Sequence, residues 1–252
     1  MFGLKLLRST QIAVLGICFV IATITSTVIL SRAFLTFKRM EEEVIDVTGS
    51  ASKEIKSDYA TWSARFSRKD PEMVVAYRKL KEDLRTVREY LISKGVKESE
   101  IVVSQVGTDR SYKSDSKGRE TSEIEYYIMR QNIEVQSHDV DKVTEISRES
   151  TELIEKGIEF ISYSPDYFYT KLADLKHEML SLASEDAKKR ADKMATSTGS
   201  RIGVMRNARM GVFQITPVNS YEVSGWGRCD TSTLEKKITA VAHVEFAISE
   251  AQ

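Results

Sequence analysis

The stretch from Ile12 to Leu30, IAVLGICFVIATITSTVIL, carries no charge and no proline. A helix rises 1.5 Å per residue, so roughly 20 apolar residues cross the hydrocarbon core of a bilayer. These 19 residues are just long enough. They predict a single membrane span with Ile12, Leu15, Phe19, Ile21 and Leu30 among its apolar side chains. A buried core helix is the weaker reading, because SRAFLTFKRMEEE turns abruptly charged. A cleaved signal peptide stays open. Its apolar region is normally shorter and ends in a small-x-small site, whereas this run ends Val28-Ile29-Leu30-Ser31-Arg32. Thr23, Thr25, Ser26 and Thr27 weaken the membrane signal. Leu15-Gly16-Ile17-Cys18 is a poor lipoprotein box, with bulky Ile17 where a small residue belongs.

Orientation follows the lysines and arginines that flank a span. Lys5 and Arg8 precede this one; Arg32, Lys38 and Arg39 follow it, and the count does not decide. The short N-terminal flank and the large following domain favour a cytoplasmic N-terminus with the rest outside. The expected place is the inner membrane, single-pass, with the C-terminal domain in the periplasm. The alternative is secretion into the periplasm after cleavage. The only cysteines, Cys18 and Cys229, cannot plausibly pair, so no internal disulfide and no cysteine-based metal site is expected.

Residues 1–40 thus read as anchor, or signal sequence, and connector. Residues 41–252 read as an extracytoplasmic domain long enough for a sizeable core. Lysine plus arginine and aspartate plus glutamate both number 37, so the formal net charge is zero. A nucleic-acid binder usually carries a basic excess or stripe, and none is visible.

Val44–Gly49 alternates and ends in glycine, which predicts a strand and turn. Ala60, Trp62, Ala64 and Phe66 alternate with polar residues as a second strand, and the two are expected to pair. Asp70-Pro71-Glu72 predicts a helix start capped by Asp70. Met73, Tyr77, Leu80, Leu84, Val87 and Leu91 form its apolar stripe, and Gly95 ends it. Ile101–Tyr112 and Ile124–Val135 predict two strands about the polar turn 113–120, with a bulge near Arg130. Ser137 or Asp139 caps a second helix through Ile146 and Leu153, closed by Gly157. A strand follows from Ile158. The longest helix of the domain is expected over 171–198, with Leu172, Leu175, Met179, Leu182 and Met194 and the small Ala183, Ala187 and Ala191, which allow close approach of a neighbour. Strands at 201–210 and 212–215 come next. The strict period-2 run Ile238, Ala240, Ala242, Val244, Phe246, Ile248 closes the chain. The fold class is α+β, with mostly antiparallel strands and about three helices behind the N-terminal span.

Catalytic signatures are missing. His138, His177 and His243 fall in different elements, and there is no HExxH, CxxC, GxSxG or phosphate loop. Asp166 and Glu178 could be imagined as an acid pair, but a chain with 37 acids offers many such pairs. We therefore expect no enzyme, no catalytic residue, no metal and no cofactor. Two features could carry binding. One is the aromatic cluster Tyr163, Tyr167, Phe168 and Tyr169, which strand packing also explains. The other is the loop Thr216–Asp230, TPVNSYEVSGWGRCD. Loops of this length are often functional or interfacial. Tyr167, Tyr169, Tyr221 and Trp226 are the candidate interface residues. An exposed Trp226 suits docking to another subunit; a Trp226 folded back would be a lid on the core.

The order of elements resembles the SIMPL domain family, also catalogued as a domain of unknown function, of bacterial envelope proteins. Val47-Thr48-Gly49-Ser50-Ala51 resembles its opening V-T-G-x-G/A segment, and Asp58-Tyr59-Ala60 its P-D-x-A step, with Ser57 in place of the proline. Lys94-Gly95-Val96 with Glu100-Ile101 resembles its helix exit and next strand, and Ser184–Ala191 its alanine-rich helix, closed by Gly199. The resemblance covers about residues 44–249 and implies an α+β fold, export, a tendency to form homo-oligomers and no established catalytic residues. The expected function is a membrane-anchored, non-enzymatic envelope protein acting by self-assembly or by binding a protein partner of unknown identity. The alternative is a small-ligand binder or enzyme that uses the aromatic cluster and the 216–230 loop.

Overall fold

A computed structural model describes residues 3–42 and 44–250, and the side chains of residues 14–38 and 44–249. The side chains of Lys5, Arg8, Ile12, Arg39 and the acidic triple Glu41-Glu42-Glu43 lie outside those described. The elements are α1 (Gly3–Glu42), β1 (Val44–Lys56), β2 (Tyr59–Asp70), α2 (Met73–Ser93), β3 (Ile101–Val103), β4 (Gly107–Ser114), β5 (Glu120–Ser137), α3 (Val140–Glu149), β6 (Glu159–Ser162), β7 (Asp166–Phe168), α4 (Leu172–Ser197), β8 (Ser200–Met210), β9 (Gln214–Pro217), β10 (Arg228–Cys229) and β11 (Glu235–Glu250). The fold is α+β with mostly antiparallel pairing. The chain divides into two compact units, one of residues 1–51, 180–211 and 241–252, the other of 52–179 and 212–240.

In the first unit, α1 contains a segment, Val14–Lys38, long and apolar enough to cross a membrane and buried against nothing. Leu15, Phe19, Ile21 and Leu30 are all exposed. The threonines that weaken the sequence signal satisfy themselves. Thr23 Oγ1 donates to the Val20 carbonyl at 2.9 Å, Thr25 to Ile21 at 2.7 Å and Thr27 to Thr23 at 2.8 Å. A hydroxyl bonded back into its own helix leaves little polarity for lipid to meet.

Also in this unit, Ala242–Glu250 of β11 pairs antiparallel with β8. Ala242, Val244 and Phe246 are buried. Ala183, Ala187, Ala191 and Ala195 of α4 are buried too, while Leu182 and Met194 are exposed, so the helix stripe is the alanine row. Gly49 is not a turn: β1 runs on through it to Lys56. The glycine is there for space. A Cβ on it would fall within 2.7 Å of Ala187 Cα and closer still to the Ala183 carbonyl oxygen and the Ala187 nitrogen. Beside it, Ser50 N–H donates to Asp186 Oδ2 at 2.8 Å.

The second unit holds an antiparallel sheet in the order β3-β5-β2-β6, with β4 also on β5 and β7 also on β2. One face packs beneath α2 and α3, and its core includes Trp62, Phe66, Leu80, Val87, Leu91, Ile133, Val135, Ile146, Leu153 and Phe160. Trp62 Nε1 donates to Ser162 Oγ at 3.0 Å, which satisfies the one polar atom of that buried ring. The other face carries Thr61, Ser63 and Arg65 and is more open, as antiparallel sheets allow.

Several expectations are corrected here. β1 and β2 do not pair: β1 neighbours β11, and β2 sits between β5 and β6 in the other sheet. α2 begins at Met73, and Asp70 makes a turn instead of a cap, accepting from Glu72 N–H at 3.0 Å and Lys79 Nζ at 2.8 Å. Its buried face is Ala76, Leu80, Asp83, Val87, Tyr90 and Leu91, leaving Met73 and Tyr77 outside. The helix is rotated from its hydrophobic stripe because Asp83 is drawn inward by Arg68 of β2, whose guanidinium donates to it at 2.5 and 2.7 Å. β5 pairs with β2 in unbroken register through Ser67↔Arg130, so no bulge occurs there. The register shifts lie against β4, at Ser111–Ser114. Two strands expected as continuous are broken, at 104–106 between β3 and β4 and at 163–165 between β6 and β7.

Other expectations hold. Gly95, Gly157 and Gly199 all take positive φ behind their helices. Asp139 caps α3, accepting from Lys142 N–H at 3.1 Å.

Candidate interface loop

β9 ends at Pro217, and the chain leaves the sheet before returning as β10, which lies parallel to β9. The excursion is pinned from beneath by one side chain. Gln214 Nε2 donates to the Ser224 carbonyl at 2.7 Å, and its Oε1 accepts from Ser224 N–H at 3.2 Å and Arg228 N–H at 3.0 Å. Gln214 is buried, so these bonds are shielded from water. Arg228 and Glu222 form an ion pair across the loop. Gly227 has φ +85° and its α-carbon faces the Phe213 carbonyl, so no other residue fits there without strain.

The loop thereby presents apolar groups to solvent. Trp226 is 96 % exposed, Tyr221 93 % and Val223 78 %. Trp226 is no lid. Among the described residues, the only ring contact of Tyr221 is with Lys237, whose Nζ stands 5.3 Å from the centroid.

The base of the loop is tied together by one carboxylate. Asp230 accepts from the hydroxyls of Ser232 and Thr233 and from both their backbone N–H groups. Lys236 is 1 % exposed, donates to the Thr233 carbonyl at 2.5 Å and stands 3.4 Å from Asp230 Oδ2. Burial works against the Asp230 charge, but the hydroxyl bonds and Lys236 outweigh it and hold the carboxyl at about 2. Burial likewise pushes the Lys236 ammonium down, and Asp230 offsets part of that push.

The other candidates are placed elsewhere in the unit. Tyr167 is a core residue, 8 % exposed, with its hydroxyl 3.0 Å from Thr144 Oγ1. Tyr169 is half-buried. Tyr163 lies under Arg65, and Phe168 packs near Tyr59. Of the four aromatics Tyr167 is sheet packing, while Tyr163 and Phe168 are exposed, and the buried Tyr167 does not share a surface with Trp226. Asp166 and Glu178 do not form an acid pair: Asp166 accepts from Thr231 and Glu178 is held by Lys53. His243 lies on the open face of β11, 2.9 Å from Thr48 Oγ1. Among the described residues, no group of three or more histidine, cysteine, aspartate or glutamate side chains could hold a metal ion. Asp58 has a structural part: it accepts from Thr170 N–H at 2.7 Å and Oγ1 at 2.8 Å, tying the start of β2 to the entry of α4.

An antiparallel α+β chain with an apolar helix ahead of it and an exposed aromatic loop describes a class of protein. The SIMPL family model, described as a protein of unknown function (DUF541), matches residues 45–246, and the chain belongs to that family. No curated protein matches the chain. Two segments within the matched range meet in this structure, for Gly49-Ser50 of β1 touch Asp186-Ala187 of α4.

Proposed function

We propose that this protein is anchored by α1 in the inner membrane, with residues 41–252 in the periplasm, and that it acts without catalysis by self-association through the 216–230 loop. The observation that carries this reading is the exposure of Trp226 and Tyr221 on a loop pinned by the three hydrogen bonds of Gln214. Aromatic residues are the commonest anchors of protein contacts, and a tip fixed in advance loses little entropy on binding. The buried stripe of α4 and the sheet core are structural, whereas Trp226, Tyr221 and Val223 of the loop are the most exposed large apolar side chains outside α1.

The two cysteines test topology and anchoring together. Cys229 is exposed and Cys18 lies in the apolar helix. A membrane-impermeant maleimide should label Cys229 in cells whose outer membrane alone is permeabilised. The retained chain should show two thiols after denaturation. Labelling only after lysis contradicts the periplasmic placement, and a single thiol shows that the N-terminal segment is removed.

A further inference from the structure

β8 is an edge strand of its sheet. It pairs with β11 on one side, and no strand among the described residues pairs with its other edge between Ser200 and Met210. An edge of this length presents a row of unpaired backbone groups, which proteins usually cover or guard. Here the side chains are open as well. Met205 pairs with the buried Phe246 and Met210 with the buried Ala242, so both stand on the core face of the sheet. Yet Met205 is 61 % exposed and Met210 51 %. The core side of the sheet is therefore covered over β11 and left bare over β8. Val204 adds a further exposed apolar group.

The charge on the strand is of one sign. β8 carries Arg201, Arg206 and Arg209 and no carboxylate. None of the three has an ion-pair partner among the described residues, although Arg209 borders a small cleft with Asp46 and Glu245. Two-fold antiparallel pairing of β8 with itself about Met205, its central residue, would set Arg201 opposite Arg209, which disfavours a second copy of this strand in that register. The same arginines favour carboxylates. We propose that β8 is a strand-addition site for an extended, acidic segment of another protein, whose alternate apolar side chains cover Met205 and Met210. The arginines act twice, repelling self-pairing and selecting the acidic partner. This surface is distinct from the 216–230 loop.

The test uses the full chain in neutral detergent and two fluorescent ten-residue peptides. One alternates valine with glutamate and the other valine with lysine. The acidic peptide should bind about tenfold more tightly than the basic one at low salt, a ratio that two or three cross-strand charge pairs supply. Its binding should weaken as salt rises. Amide hydrogen exchange should slow at 200–210 when it binds. R201E/R206E, which alters two exposed side chains, should reverse the preference while leaving thermal unfolding unchanged. Equal binding of both peptides, no binding, protection outside 200–210, or an unchanged preference in the variant would each overturn the proposal. So would protection of 200–210 that grows with protein concentration alone, since the occupant would then be a second copy.

Discussion

Gly49 of β1 and Ala187 of α4 touch backbone to backbone, with no room for a methyl group between them. Its φ is not positive, so the glycine is required by the neighbour and not by its own conformation. Gly49→Ala must push strand and helix apart along a row of alanines with nothing to refill the gap. The expected cost is about 3 kcal/mol, at the upper end of overpacking effects. Chemical denaturation measures it. Gly203→Ala, whose Cβ would meet the Ala247 side chain at 3.3 Å, should cost clearly less.

The pair Arg68–Asp83 is one of the buried polar elements of the second unit, with Asp83 buried against the sheet. Replacing Asp83 by alanine leaves a partly buried guanidinium without its partner, and the expected loss is about 3 kcal/mol. Changing both residues to methionine and leucine should restore much of that loss. A double-mutant cycle separates the pair's coupling from desolvation.

Asp230 gives the loop base a pH dependence. Its folded pKa, about 2, lies below the ordinary value of 3.8. The sign is that of a depressed carboxyl: its stabilisation is complete above 3.8 and is lost as pH falls toward 2. The depression is worth about 2 kcal/mol. Asp230→Asn should remove this part of the acid transition. It should also destabilise the protein at neutral pH by about 3 kcal/mol, because Lys236 would keep a buried charge without a counter-ion. Denaturation at several pH values checks both effects.

Trp62 and Trp226 are opposite in environment, 1 % and 96 % exposed. Trp226→Phe should remove the red-shifted, iodide-quenchable part of the fluorescence while stability stays within about 0.5 kcal/mol. Gln214→Ala should leave Trp226 exposed but make the loop the preferred site of limited proteolysis.

Much of this fold is legible from residue alternation. β2 and β11 follow their period-2 runs because one face is fully buried and the other open. The helix ends follow their glycines. What is hidden is long-range. Nothing near Gly49 in sequence says that a helix more than a hundred residues later needs its space, so the glycine reads as a turn. Nothing near Asp83 says that Arg68 draws it inward, so Met73 and Tyr77 read as core. The exposed loop is legible as composition and length, but its anchor, Gln214, is an ordinary polar residue whose part appears only with its three bonds. Strand alternation also says nothing about which edge stays bare, and β8 looks like any other strand.

The most direct measurement is the mass of the full chain in detergent by light scattering, corrected for the micelle, across a range of concentration. The chain is 28.5 kDa. Self-association through the loop requires a discrete multimer that dissociates in Y221A/W226A. A monomer at every concentration, or a multimer unchanged by that variant, would contradict it.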